Sequence, residues 1–148
     1  MVRGRVKTVT LQVSRPVPAH KNPTNQYALI LCFMHGDADH DSVNTLYFDA
    51  DSQSELETMK RMIVILDEMS QDYEVLEFQS GAKEYMRQRF KDPAFTPAID
   101  WIGDNWDYDI TMHDSGYMAH CSGFGVAYYD AQGNQFNVDV TIKDNKSV

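Results

Sequence analysis

Residues 92–139 contain no lysine and no arginine, yet they carry eight aspartates: Asp92, Asp100, Asp104, Asp107, Asp109, Asp114, Asp130 and Asp139. Acids without basic neighbours in sequence find cations elsewhere in the fold, on a partner or in bound metal, or they repel one another through water and salt. The rest of the chain is sorted by sign as well. Residues 1–36 hold five basic residues and no acid, 37–77 hold twelve acids against two basic residues, and 78–91 hold four basic residues against one acid. The net charge of −9 argues against nonspecific binding to nucleic acid or to an anionic membrane, because counterion release needs clustered lysine and arginine facing phosphates.

Cysteine is scarce too. Two in 148 residues cannot form a disulfide framework, and Cys32 and Cys121 both stand in apolar, strand-like contexts where a reduced thiol behaves as a small hydrophobe. No apolar run approaches the ~20 residues of a membrane span. The first twelve residues interleave Arg3, Arg5 and Lys7 with polar side chains and lack the apolar stretch of a secretory signal. Together these absences predict a cytoplasmic chain with no membrane contact. Glycine-rich phosphate loops, Cys-x-x-Cys pairs and Gly-x-Ser-x-Gly elbows are also missing, which removes the nucleotide-binding, dithiol and serine-hydrolase classes that depend on them.

What is present reads as one domain over residues 1–148, a length sufficient to bury a core without disulfides or metal. Alternation predicts a strand over residues 6–13 with Val9, Leu11 and Val13 inward. Pro16, Pro18 and Pro23 then make residues 15–25 a loop. The apolar run 27–34 predicts a central strand covered on both faces, and 44–48 a shorter third strand, joined by a polar connection over 35–43. Ser52 and Glu55 form the ends of a capping box, and Leu56, Met59, Met62, Ile63, Leu66 and Met69 recur at helical spacing, so residues 53–71 form an amphipathic helix. Val64 and Ile65 lie off that stripe and predict cover on more than one side. A shorter helix is expected over 82–90, ended before Pro93. Strands at 124–129 and 135–142 flank a hairpin loop at 130–134, where Gly133 supplies a positive φ. The element order predicts an α+β fold: a mostly antiparallel β-sheet with one long and one short helix packed on one face.

Three groups of residues carry possible chemistry. Residues 35–41 place His35, Asp37, Asp39, His40 and Asp41 just after an apolar strand, a rigid base for ligands. Asp37-x-Asp39-x-Asp41 has the opening rhythm of an EF-hand loop, but Ser42 replaces the turn glycine and Phe48 stands where the bidentate glutamate belongs, so that reading fails. The same run resembles, over six positions, the His-x-His-x-Asp-His motif of metallo-β-lactamase-fold hydrolases, with aspartate at the second histidine. That resemblance implies a divalent metal held by His35, Asp37, Asp39 and His40. The plainer alternative is a solvated aspartate-rich turn.

The second group is a repeated tripeptide, His40-Asp-Ser42 and His113-Asp-Ser115. It resembles the paired His-x-Ser/Thr elements of two-histidine phosphoesterases, which implies His40 and His113 as base and acid with Ser42 and Ser115 on the phosphate. Asp41 and Asp114 depart from the family pattern, which has an apolar residue between histidine and hydroxyl. The third group is aromatic and acidic: Trp101, Asp104, Trp106, Asp107, Tyr108 and Asp109. As a recognition surface it offers aromatic anchors and acids that pair with lysine or arginine on a partner.

Weighed together, these features predict a small acidic binding protein without a cofactor. It would act as an inhibitor or regulator by engaging a basic surface of a protein partner, in the manner of the compact accessory proteins that phages carry. A homo-oligomer is a further expectation. The alternative is a metal-dependent or histidine-based phosphoesterase using residues 35–41 with His113 and His120.

Overall fold

The computed structural model describes residues 6–16, 23–35, 41–69, 82–113 and 119–145. The chain runs through β1 (Val6–Pro16), β2 (Gln26–His35), β3 (Asp41–Asp49), α1 (Gln53–Met69), α2 (Ala82–Arg89), a single 3₁₀ turn (Pro93–Phe95), α3 (Thr96–His113), β4 (Ala119–Tyr129) and β5 (Gln135–Asn145). All strand pairs are antiparallel, and the sheet order is β1-β5-β4-β2-β3. The fold is α+β as expected, but with three helices in place of one long and one short.

The extra helix is α3, which covers the aromatic and acidic stretch. Its residues are poor helix formers: Asp recurs, Ile and Trp are frequent, and Gly103 interrupts. Tertiary packing overrides that preference. Ala98, Ile99 and Ile102 recur at helical spacing and are buried in the main core. The preceding Pro93–Phe95 turn is set by Asp92, whose side chain accepts a hydrogen bond from the Ala94 amide at 2.9 Å. Pro97 then enters the first turn of α3, where a missing N–H costs nothing.

One face of the sheet takes the helices. Leu29, Leu31, Phe48, Val9, Val126 and Val138 join the buried side chains of α1, α2 and α3 in a single cluster. Met59, Met62, Ile63, Ile65 and Leu66 of α1 are wholly buried, each stabilising the fold by about 1.5–3 kcal/mol. Val64 and Ile65 are both buried, so α1 is indeed covered on more than one side. The N-terminus of α1 uses half of the predicted capping box. Ser52 Oγ accepts from the Glu55 amide at 3.3 Å, but the Glu55 carboxylate accepts from the Asp49 amide at 3.1 Å and leaves Ser52 N–H to the Asp49 carbonyl.

The opposite face carries no helix among the described residues. Ala28, Ala127 and Tyr129 form a small second cluster there, and Tyr47 packs on Tyr129 with ring centroids 6.2 Å apart. Ile30 and Cys32 remain half-buried, so among the described residues β2 is an interior strand with one face under helices. Several boundaries also move: β4 begins at Ala119 and not at 124, and β5 runs on to Asn145 and not to 142. β1 continues through Pro16 after a register irregularity, and β3 begins at Asp41 because residues 41–43 pair with 32–34.

The β4–β5 hairpin closes as read from sequence. Gly133 adopts φ 82°, and the Asp130 carboxylate accepts from the amides of Gln132 and Asn134, each at 2.9 Å. Its other oxygen takes the Asn134 side-chain amide at 3.2 Å. Burial alone would raise the Asp130 pKa, but these hydrogen bonds outweigh it and hold the carboxyl below its usual range.

Candidate functional site

β3 is an edge of the sheet, and the phase of its hydrogen bonds follows from one contact at its end. The Ala50 amide donates to the Asn25 carbonyl at 3.0 Å. Antiparallel alternation then directs the main-chain groups of Phe48, Leu46 and Asn44 toward β2, and those of Tyr47, Thr45 and Val43 outward. The next outward amide, that of Asp49, is the one taken by Glu55. Side chains alternate across the sheet, so Leu46 and Phe48 pack on the main core while Val43 and Tyr47 stay 61% and 44% exposed on the other face.

α3 runs beside this edge. Burial of Ile99 and Ile102 turns Trp101 toward β3, where its ring meets Phe48 with centroids 5.4 Å apart and remains 41% exposed. Asp104 follows one turn later. Leu46, Tyr47, Trp101 and Asp104 line an open groove of about 300 Å³. Close by, the Asn44 side-chain nitrogen is shut away from solvent without an acceptor.

Two acids of α3, Asp100 and Asp104, find cations on α2. Lys83 Nζ lies 2.5 Å from Asp104, and Arg87 lies 3.5 Å from Asp100. Gly103 makes the first pair possible, because a Cβ there would collide with the Lys83 stem. Arg89 approaches Glu68 of α1 at 4.0 Å. These pairs weaken the case for acids that lack cations, but they do not remove it. With side chains 30–67% exposed, each pair contributes about 0.2–1 kcal/mol and can be exchanged for a partner's cation.

The six residues read from sequence as a recognition surface are all on α3. Trp101 and Asp104 face the groove; the side chains of Trp106, Asp107, Tyr108 and Asp109 lie outside the described residues. Sequence reasoning missed Val43, Thr45, Leu46 and Tyr47. Their signal was limited to β-propensity, since nothing in a strand's own sequence says that its second neighbour is absent.

His35 and His120 lie at one end of the sheet. β2 pairs His35 with Ala119 and Met34 with His120, so these two histidines sit one register step apart on neighbouring strands. Ser42, the second residue of β3, pairs with Phe33, and His113 ends α3 six residues before Ala119. Asp37, Asp39, His40 and Ser115 lie outside the described residues. Among the described residues no group of three or more His, Cys, Asp or Glu side chains is arranged to hold a metal, and no helix is long and apolar enough to cross a membrane.

No protein-family model matches the chain, no curated protein matches it, and no solved structure matches its fold.

Proposed function

We propose that the chain is a small acidic binding protein, an inhibitor or regulator that engages a basic surface of a protein partner through the outer edge of β3 and the adjoining side of α3. The observation that carries this reading is the grouping of exposed apolar side chains. Among the described residues Val13, Val43, Tyr47 and Trp101 are the large hydrophobics left exposed, and three of them lie on β3 or beside it. Asp104 lines the same groove as two of them, Tyr47 and Trp101. Half-exposed aromatics next to an acid match the anchor-and-rim anatomy of a protein interface.

The test is affinity capture of a partner followed by titration with purified variants. Trp101→Ala should weaken binding by ~2 kcal/mol or more if the ring is a central anchor. Asp104→Asn should slow association and flatten its salt dependence, whereas Lys83→Met, which removes the internal competitor for Asp104, should speed association. Affinity indifferent to salt, to Trp101→Ala and to Asp104→Asn rejects the assignment.

A second reading is favoured by the β2–β3 register, which sets His35 and Ser42 on one face at the sheet end where the chain from His113 enters β4, while His120 lies on the opposite face. There a metal-dependent or histidine-based phosphoesterase would find its ligands. Elemental analysis of purified protein, with phosphodiester hydrolysis by His35→Ala and His113→Ala variants, decides it. Absence of stoichiometric metal with unaltered turnover in both variants eliminates the enzyme.

A further inference from the structure

We infer that the partner binds by strand addition: an extended segment alternating apolar and cationic side chains pairs with the outer edge of β3, one apolar side chain entering the Tyr47–Trp101 groove and a lysine or arginine meeting Asp104. This inference rests on the acidic binding reading above and names its mode.

The two edges of the sheet differ in how they are guarded. β1 carries a register irregularity between Val13 and Pro16, ends in a proline and contains Lys7 and Arg15, all devices that discourage a further strand. β3 has none of them. Its nine residues contain no proline, lysine, arginine or glycine and pair with β2 without a register break. Among the described residues no further strand pairs with β3, so the outward amides and carbonyls of Val43, Thr45 and Tyr47 form an unbroken template three outward-facing residues long. Asp49 marks its end, because Glu55 already takes the Asp49 amide.

Charge decides the occupant. A second copy pairing two-fold about Thr45 would place Val43 against Tyr47, a favourable match, but it would also set Asp41 against Asp49 at both ends and join two chains of net charge −9. The same terminal acids, with Asp104 67% exposed at the groove, favour a cationic strand. Residues on one face of an added strand recur every second position, roughly 6.5–7 Å apart. An apolar residue over the groove is thereby followed by a cation within reach of the acidic rim.

The experiment uses the full chain and a displayed random nonapeptide library, followed by titration of the best peptide, made synthetically, against variants. Thr45→Pro removes one outward N–H while leaving the bonds to β2, and proline is tolerated on an edge strand in that orientation. Thr45→Ala keeps the N–H. The expected result is a peptide alternating apolar residues with lysine or arginine, bound by the wild type and Thr45→Ala and at least tenfold more weakly by Thr45→Pro. Amide hydrogen exchange of the wild type should slow at Val43, Thr45 and Tyr47 when the peptide binds, a readout that stands even if Thr45→Pro folds poorly. Failure to select any peptide overturns the inference. Binding lost in Trp101→Ala and Asp104→Asn but not in Thr45→Pro, with no slowing at β3, overturns strand addition and leaves the acidic binding reading standing. Binding untouched by all of these variants overturns both, and a dimer in sedimentation that Thr45→Pro dissolves assigns the edge to a second copy and overturns the choice of occupant.

Discussion

Asn25 ties together three segments that set the position of β3, and replacing it separates two effects of different origin. It is the described non-glycine residue with positive φ, at 55°. Its amide donates to the Asp130 carbonyl and its carbonyl accepts from Ala50, both at 3.0 Å. Its side chain donates to Asp51 at 2.6 Å and accepts from the Tyr128 hydroxyl at 3.5 Å. Asn25→Ala keeps the main-chain bonds, loses the side-chain bonds and places an ordinary Cβ in the left-handed region. The lost bonds are worth about 1 kcal/mol, and the left-handed conformation costs alanine about 1 kcal/mol more than it costs asparagine. A total near 2 kcal/mol should lower the urea midpoint by about 1 M, given a slope of roughly 2 kcal/mol/M for a small domain. Asn25→Gly loses the same side-chain bonds but is at ease at positive φ, so its deficit should be about half as large. The assay is equilibrium urea unfolding followed by far-UV circular dichroism. Equal losses for alanine and glycine would show that the backbone conformation is not what asparagine supplies, and the reasoning would fail.

The hairpin at Asp130 gives a prediction in pH. Its folded pKa lies below the ordinary 3.8, so the stabilisation it provides is present above the unfolded value and disappears as pH falls through the folded one. Asp130→Asn keeps an acceptor but not the charge. The stability gap between wild type and variant should hold steady from neutral pH to about 5 and then close in more acidic buffer. A gap of constant size across the acid range would contradict the assignment. Gly133→Ala should destabilise the same hairpin by ~1 kcal/mol at every pH, because its φ of 82° depends on conformation and not on charge.

Much of the architecture was legible because periodicity reports burial directly. The alternation of Phe136, Val138, Val140 and Ile142 and the spacing of Met59, Met62, Ile63 and Leu66 each pointed to a face that the structure buries or partly buries. α3 was not legible by the same route. Its acids and aromatics hid a short stripe of Ala98, Ile99 and Ile102, and Pro97 stands in its first turn, where proline does not by itself signal a helix. The candidate site was half legible. Trp101 and Asp104 stood out by composition, but Tyr47 and Thr45 acquire significance only from sheet order, which among the described strands places β3 at the edge, beyond β2. Order depends on long-range pairing, and a strand's own residues do not encode it.

The Lys83–Asp104 and Arg87–Asp100 pairs bear on how the acids of α3 are used. A one-sign segment attached to a helix with cations on its neighbour gives contacts that orient α3 against α2 without fixing the charge permanently. Were the pairs buried, breaking one to receive a partner's lysine would strand a desolvated charge at a cost of several kcal/mol. Being exposed, they can be traded at small cost, since Lys83 returns to water when Asp104 takes another cation. Internal pairing and external recognition are therefore compatible uses of Asp104. Specificity must then come mainly from what water cannot replace: the apolar groove beside Trp101 and the outward main-chain groups of β3.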